Sequence, residues 1–409
     1  MRFGDISLDH TWNIDELPWS VFSHASHKKR YYDLVTSLNP QLVEAMQPHI
    51  ATVSPDAPPE HRKMHQAAAS SFLYIYLSLG SVSSPGCIYT LRSTLPIGAG
   101  LGSSASISVC IATALLIQCR ALSGPHPDQM VEEAEKQLER INQWAFVGEM
   151  LIHGTPSGVD NTVSTRGKAV LFKRVDYAKP PLVKSLRTFP ELPLLLVDTK
   201  QAKSTAAEVA KVAMLKKTYP DVAERILNAI DGVTESAHSL IEEEGFDAKD
   251  PTYISRLGEL MTLNHGLLYS LGVSHPKLER LRHLVDQSGV GWTKLTGAGG
   301  GGCAITLLRP EEPTTKDAAE DSHGSALEKL EQQLQDEGFE KFETTLGGDG
   351  VGVLWPAVLH NGSDEQGGEE IDQEKFMAVE GREGVERLVG VLGNGAGGAV
   401  REGWKFWRL

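Results

Sequence analysis

Residues 96–106 read Pro-Ile-Gly-Ala-Gly-Leu-Gly-Ser-Ser-Ala-Ser, and this stretch decides the fold class. Gly98, Gly100 and Gly102 alternate along it, and an apolar run begins at Ala105. Glycine lets the backbone approach a ligand closely and adopt positive φ. A helix that begins directly after such a loop points unpaired N–H groups and the positive end of its dipole at whatever lies there. The stretch therefore predicts a loop that holds phosphate.

This loop matches neither of two commoner glycine fingerprints. A Walker A loop needs Gly-x-x-x-x-Gly-Lys followed by Ser or Thr, and the chain contains no Gly-Lys-Ser or Gly-Lys-Thr. A Rossmann fingerprint would need glycine at position 103, which is occupied by Ser103. The loop therefore indicates a different phosphate-binding fold.

A second informative segment, residues 154–161, reads Gly-Thr-Pro-Ser-Gly-Val-Asp-Asn and follows an amphipathic helix expected to end near Ile152. Glu149, in the last turns of that helix, stands eleven residues before Asp160. Two carboxylates delivered in this way can divide the work of phosphoryl transfer, since one can bind magnesium while the other accepts the proton of the attacking hydroxyl. The spacing alone leaves plainer roles open, a solvated surface glutamate and an aspartate in an Asx turn.

A third segment, residues 294–303, reads Lys-Leu-Thr-Gly-Ala-Gly-Gly-Gly-Gly-Cys and leads into the apolar run 304–308. Five glycines in six residues are costly to order and serve no purpose in an ordinary hairpin. A flexible connector is the alternative, but linkers rarely adjoin so apolar a strand. We interpret the segment as a second loop packed against ligand phosphates.

In their order and spacing, the three segments resemble the mevalonate kinases, a family of the GHMP kinase superfamily, over about residues 90–355. The resemblance implies an α+β, two-domain GHMP kinase fold whose carboxy-terminal helices pack on an antiparallel sheet. It also implies ATP-dependent phosphorylation of the mevalonate 5-hydroxyl in isoprenoid and sterol biosynthesis. ATP and Mg²⁺ would be the cofactors, mevalonate the small-molecule partner, and a homodimer is compatible with the family.

Carried over residue by residue, the resemblance assigns a role to each motif. Asp160 would be the base that faces the mevalonate hydroxyl, and Ser104 with Glu149 would bind magnesium. The nucleotide would be bound by the first loop, at Pro96, Gly98, Gly100, Leu101, Gly102, Ser103, Ser104 and Ala105. The substrate would be bound at Thr199, Gly297, Ala298 and Gly299.

The chain departs from the family pattern in one motif. Family members carry an early Ala-Pro-Gly-Lys segment followed by Gly-Glu-His, and neither occurs in this sequence. The lysine of that segment supports the transferred phosphoryl group, and loss of one such preorganised group costs on the order of 3 kcal/mol. We therefore expect an incomplete amino-terminal domain, low solubility and a poor or inactive kinase. Lys200 and Lys203, beside Thr199, are the cations available to take the missing role.

The composition argues against several other classes of protein. A formal net charge of −14 without a basic stripe argues against nucleic-acid binding. No signal peptide is visible, and the longest uncharged apolar helix, 105–119, is too short to span a bilayer, so we predict a cytoplasmic protein without membrane contact. The four cysteines lack Cys-x-x-Cys spacing and are predicted to be reduced, packed thiols. His153, His265 and His275 share no ligand-like spacing and predict no metal site.

We divide the chain into two predicted domains, residues 1–190 with the phosphate loop and the catalytic aspartate, and residues 191–409. The second domain is expected to place helices near 204–219, 221–243, 252–271, 277–288 and 326–336 over an antiparallel sheet. An acidic insert near 361–387 is expected to be partly disordered.

Two other functions stay open on the sequence. The absent first motif favours a non-catalytic relic or regulator of the same family. Phosphomevalonate kinase is the nearest enzymatic alternative. A phosphorylated substrate should demand additional lysines or arginines near the pocket, and the sequence does not visibly cluster them.

Overall fold

The computed structural model describes residues 1–22, 33, 35–95, 101–154, 156–174, 181–310, 320–359, 368–392 and 400–408. The α-helices in these ranges are α1 (Pro40–Ala51), α2 (Pro59–Leu79), α3 (Ser103–Gln118), α4 (Val131–His153), α5 (Val159–Arg166), α6 (Thr205–Thr218), α7 (Pro220–Ile241), α8 (Pro251–Ser270), α9 (Pro276–Ser288), α10 (Glu320–Asp336), α11 (Gln373–Ala378) and α12 (Gly381–Leu388).

The strands in the same ranges pair almost entirely in antiparallel fashion. They are β1 (Arg2–Phe3), β2 (Leu8–Asp9), β3 (Thr90–Leu91), β4 (Ala169–Lys173), β5 (Leu182–Leu186), β6 (Leu192–Asp198), β7 (Gly291–Leu295), β8 (Cys303–Leu308), β9 (Glu340–Leu346), β10 (Gly352–Leu354), β11 (Val358–Leu359), β12 (Glu369–Glu370), β13 (Val391–Leu392), β14 (Val400–Arg401) and β15 (Trp404–Phe406). The exception is β1, which pairs in parallel with β3 and antiparallel with β2.

A helical core organises the amino-terminal half. α2, α3 and α4 pack against one another, and α1 packs on α2. α4 is amphipathic, so Leu138, Ile141 and Trp144 face the core, while its charged residues other than Glu149 are at least partly exposed. α3 is uncharged and buries Leu115 and Leu116 fully. These contacts fix the orientation of α3 and α4, the two helices that carry the predicted magnesium ligands.

The second core surrounds a four-stranded antiparallel sheet with the strand order β7-β8-β6-β9. Because successive side chains of a strand point to opposite faces, β6 packs against a layer of helices on each face of the sheet. Leu195 and Val197 pack in a cluster with α9 and α10, whereas Leu194 packs with α7 and α8. The predicted arrangement of carboxy-terminal helices on an antiparallel sheet is confirmed, with helices on both faces.

Proline and capping side chains set where these helices begin. Pro220, Pro251 and Pro276 occupy the first position of α7, α8 and α9, where the missing N–H of proline costs nothing. At α8, the Asp250 side chain also accepts a hydrogen bond from the amide of Thr252. Each of the three helices therefore begins one residue earlier than the sequence predicted.

The described chain end returns to the first core. Val351 and Trp407 are buried there, and the Trp407 indole donates to Gln137 Oε1 at 3.0 Å. The Arg92 guanidinium donates to the carbonyls of Phe376, Met377 and Val379.

The predicted division of the chain into two domains near residue 190 stays a prediction.

The described part of the predicted acidic insert is folded. Residues 360–367 lie outside the described ranges, whereas 368–387 include β12, α11 and nearly all of α12. The insert was expected to be partly disordered, and its residues 368–387 belong to the folded part because they gain partners from distant segments. Gln373, for example, donates to Thr90 Oγ1 at 3.2 Å.

Exposure corrects the prediction for the cysteines. All four are free thiols, but Cys87, Cys110 and Cys119 are exposed and only Cys303 is buried. The prediction of packed thiols was wrong for three, because apolar neighbours in sequence fix neither which face of α3 is covered at Cys110 nor the burial of the loop residue Cys87 and the α3 C-cap Cys119. None of the described helices combines the length and hydropathy needed to cross a bilayer. The described side chains also form no cluster of three or more His, Cys, Asp or Glu arranged to hold a metal ion.

Candidate active site

The described part of the first loop places a helix start against the predicted catalytic carboxylate. Gly102 is the N-cap of α3 and has φ +72°, in the left-handed region. A Cβ added at Gly102 would lie 3.3 Å from Asp160 Cβ, so the backbone and this side chain are nearly in contact. Pro96, Gly98 and Gly100 lie outside the described residues.

Asp160 itself lies in the first turn of α5, whose N-cap is Gly158 with φ +83°. Its carboxylate is exposed. α5 packs on α3 and α4, and the Ser106 and Ser164 hydroxyls join α3 to α5 at 3.1 Å. Two helix starts therefore lie side by side, with the Asp160 carboxylate between them and solvent. Unpaired amides at such positions favour an anion.

Ser104 and Glu149 meet where α3 crosses α4. Ser104 Oγ donates to Glu149 Oε2 at 3.2 Å, and Ser108 Oγ donates to Glu149 Oε1 at 3.4 Å. Gly148 permits the close approach of the helices, since a Cβ there would lie 2.8 Å from Ser71 Oγ and 3.1 Å from Ser108 Oγ. The two predicted magnesium ligands are thus brought together from positions 45 residues apart.

The Glu149 carboxylate is 4% exposed, and burial raises its pKa above the ordinary value. The Asp160 charge acts in the same direction, whereas His153 and the hydrogen bonds from Ser104 and Ser108 oppose the shift. Within the described chain, no Lys or Arg nitrogen lies within 4 Å of this carboxylate, and His153 Nε2 is 3.9 Å away. A buried carboxylate beside hydroxyl oxygens is a donor set that suits a hard cation such as Mg²⁺.

The second glycine loop is anchored by backbone hydrogen bonds. Gly297 and the run 299–302 all have positive φ. The Gly300 amide donates to Val273 O at 2.7 Å, and the Gly302 amide donates to Gln201 O at 2.9 Å. A Cβ at Gly299 would lie 2.0 Å from Val273 O, so a larger residue there would collide with backbone. The segment is therefore a built loop, as the sequence predicted, and the alternative of a flexible connector is wrong.

Leu101 links the two glycine loops. It packs against the cluster of Leu196 and Cys303, on the sheet strands β6 and β8 that adjoin the second loop. Leu101, in the described part of the first loop, is thereby held near the end of the second loop. Phosphates held by one loop would lie within reach of the other.

Comparisons with known proteins show which family models and relatives match the chain. Residues 65–168 match the model of the GHMP kinases N terminal domain, and residues 252–334 match that of the GHMP kinases C terminal. The chain is 64% identical to a mevalonate kinase of Gibberella zeae, over 100% of this chain and 78% of the relative. It is 63% identical to a mevalonate kinase of Aspergillus fumigatus, over 100% of this chain and 73% of the relative.

The chain belongs to the mevalonate kinase family. A solved structure of the L. major mevalonate kinase in complex with R-mevalonate has a TM-score of 0.56 to this chain at 25% identity. That likeness covers 72% of this chain and 81% of the other. The predicted two-domain GHMP kinase fold is confirmed.

The residues predicted to bind substrate lie in two settings. Thr199 is fully buried, and its hydroxyl donates to Gly302 O at 2.8 Å, so it holds the second glycine loop in place. Gly297 is exposed, Ala298 is half-buried and Gly299 is buried. Direct contact of these residues with substrate stays a prediction for this mevalonate kinase family member.

Two side chains gain importance from the structure. Lys203 was named from the sequence only as a substitute cation, and it now lies over the second loop. A Cβ at Gly297 or Gly302 would be 3.5 or 3.1 Å from its Nζ, and no described carboxylate pairs with it. His153, dismissed as an isolated histidine, lies 3.0 Å from Ser104 Oγ. Its position four residues after Glu149, on the same helix face, is the signal that could have found it.

Proposed function

We propose that this protein transfers the γ-phosphoryl group of ATP to the 5-hydroxyl of mevalonate, giving 5-phosphomevalonate and ADP. The observation that carries the proposal is the close approach of the Gly102 backbone to Asp160, which sets a helix start suited to phosphate beside a carboxylate. Membership of the mevalonate kinase family supplies the substrate.

In this proposal the exposed Asp160 carboxylate accepts the proton of the mevalonate hydroxyl as its oxygen attacks phosphorus. The bond between the γ-phosphorus and the oxygen of the β-phosphate breaks, and ADP leaves. The α3 amides after Gly102 stabilise the phosphate charge, and the Lys203 ammonium, which lies over the second loop, adds a positive charge.

Ser104 and Glu149 are proposed to hold Mg²⁺. The support is the chemistry of the donor set, a hydroxyl and a buried carboxylate 3.2 Å apart, together with the burial that raises the pKa of Glu149. A bound Mg²⁺ would neutralise charge on the nucleotide phosphates. The residues themselves place two oxygen donors at the start of α3, next to the amides that face the phosphates.

The charges around the catalytic turn favour mevalonate over phosphomevalonate. A cavity of about 580 Å³ beside Ser157 and Gly158 is lined in part by Arg166 and Arg187. Arg166 is paired with Glu139 at 2.9 Å, and Arg187 is paired with Glu135. Two of the three arginines that line this cavity, the third being Arg174, are therefore held in ion pairs, which reduces the positive charge available for an additional substrate phosphate.

Product analysis tests the proposal. The protein is incubated with Mg-ATP and either mevalonate or phosphomevalonate, and the products are identified by ³¹P NMR and mass spectrometry. We expect a new phosphomonoester signal with mevalonate and ADP formation that depends on it. A diphosphate product from phosphomevalonate would instead identify the other kinase, and nucleotide binding without ADP formation from either substrate would support a non-catalytic role.

A further inference from the structure

The Ser104 hydroxyl has one hydrogen to donate and contacts two side chains that can accept it, the Glu149 carboxylate and one tautomer of the His153 imidazole. Glu149 Oε2 lies 3.2 Å from Ser104 Oγ, and His153 Nε2 lies 3.0 Å from it. A serine hydroxyl donates to one acceptor at a time while its lone pairs accept. In the His153 tautomer that carries its hydrogen on Nδ1, Nε2 therefore competes with Glu149 for this hydrogen.

A cation held by Ser104 and Glu149 decides this competition. Both side chains must then direct oxygen lone pairs at the cation. A Ser104 hydrogen that points at the Glu149 carboxylate would lie between the two ligand oxygens and occupy a lone pair that the cation needs. The hydrogen has to leave Glu149, and among the described side chains His153 Nε2 is the other acceptor in contact with Ser104 Oγ.

We infer that His153 is a positioning residue for the metal site, an inference that rests on the proposed binding of Mg²⁺ by Ser104 and Glu149. The neutral imidazole, with its hydrogen on Nδ1, accepts the Ser104 hydrogen at Nε2. This frees the Glu149 carboxylate and orients the Ser104 lone pairs toward the cation. No proton is transferred between side chains in this step.

The helix geometry supports this role. His153 follows Glu149 by four residues on α4, so the two side chains lie on one face and both reach the start of α3. The His153 side chain is 54% exposed. A ring this exposed contributes little to the core, so its replacement is expected to leave the fold intact. Removal of a side chain that orients a metal ligand typically lowers metal affinity by about 10- to 100-fold.

Direct measurement of metal binding tests the inference. Mn²⁺, which reports its binding by EPR, is titrated into the protein in the presence of a non-hydrolysable ATP analogue. We expect His153→Ala to raise the Mn²⁺ dissociation constant about tenfold. His153→Gln carries a side-chain carbonyl oxygen that can accept the Ser104 hydrogen, and it should recover most of that affinity.

His238→Ala is the matched control. His238 and Glu242 form another His–Glu pair four residues apart, 3.3 Å between Nε2 and Oε1, near the end of α7. This control should leave Mn²⁺ affinity unchanged, and thermal unfolding verifies that every variant is folded.

Ser104→Ala and Glu149→Gln separate failure of the inference from failure of the metal site. If both weaken Mn²⁺ binding while His153→Ala does not, the metal site stands and the inference is overturned. Equal weakening by His153→Gln and His153→Ala also overturns it, because the accepting atom would then be irrelevant. If none of the four variants changes Mn²⁺ affinity, the proposed metal site itself is wrong and the inference falls with it.

Discussion

The Lys294 ammonium, at the entrance to the second glycine loop, has little access to solvent. Its Nζ donates to Leu295 O at 3.0 Å, and burial lowers its pKa from 10.5 to about 8. Between about pH 8 and 10.5 the unfolded chain therefore binds more protons at this lysine than the folded chain does. The contribution of Lys294 to the free energy of unfolding therefore rises with pH across that window. Below pH 8 the folded protein bears the full cost of burying the charged ammonium group.

Lys294→Met should consequently raise the free energy of unfolding at pH 7, since it removes the charge and keeps the volume. The gain over the parent protein should shrink as the pH rises toward 10.5, where the parent lysine is neutral in both states. Urea unfolding at several pH values measures this, with the exposed Lys217→Met as the control. A gain that does not change with pH would contradict the account.

Among single residues, the sequence singled out side chains that lie inside motifs, and their catalytic and metal-binding roles stay predictions. The motifs identified Ser104, Glu149 and Asp160, and the structure brings Gly102 to Asp160 and Ser104 to Glu149. His153 was missed because its value depends on the crossing of α3 and α4. Spacing along one helix shows which side chains share a face, but the residue opposite that face depends on packing.

Helices and strands were predicted well where the hydrophobic residues recurred with a clear period and the sequence also carried a signal for the end of the element. The expected α7, α8 and α9 occur within one or two residues at each end, because proline marks their starts. The pairing β7-β8-β6-β9 was outside the reach of the sequence, since strand order depends on contacts between distant segments. Short strands such as β1 and β3 carry too few residues to show a period.

Two glycines of α8 offer a matched test of how this helix packs on the sheet. A Cβ at Gly258 would lie 2.1 Å from Trp292 Cδ2, whereas a Cβ at Gly266 would meet nothing within 4 Å. Gly258→Ala should destabilise the fold by about 1–3 kcal/mol through overpacking. Gly266→Ala should stabilise it by about 0.5–1 kcal/mol, because alanine favours the helix. Chemical denaturation measures both, and equal effects of the two substitutions would show that α8 does not rest on Trp292 as described.

Across the whole molecule, the chain end and the amino-terminal core are joined by a small set of polar contacts. The Arg92 side chain is 10% exposed, pairs with Asp5 at 3.2 Å and donates to three carbonyls at and after the end of α11. The sequence predicted disorder here because local composition is acidic and glycine-containing. Local composition carries no information about Arg92, which lies 284 residues from Phe376 in sequence and donates to its carbonyl.

Arg92→Ala should release α11 from the amino-terminal core. Several charge-assisted hydrogen bonds are lost together, so we expect a cost of about 1.5–3 kcal/mol in local stability. Hydrogen exchange with mass spectrometry should show faster exchange in 373–379, with α8 unchanged as the internal reference. Arg382→Ala, on α12, is the control, because its guanidinium bonds to Glu386 within its own helix. Unaltered protection of α11 in Arg92→Ala would argue against this attachment.

Asp160 is the group proposed to accept the hydroxyl proton, and one substitution measures its contribution to phosphoryl transfer. Asp160→Asn keeps the shape of the side chain beside Gly102 but cannot take a proton. Single-turnover formation of phosphomevalonate from bound ATP should fall by about two to four orders of magnitude relative to the parent protein. Binding of a fluorescent ATP analogue should be retained, because the α3 start and the Ser104–Glu149 pair are intact. A phosphoryl-transfer rate within about threefold of the parent would contradict the role of Asp160 and the function built on it.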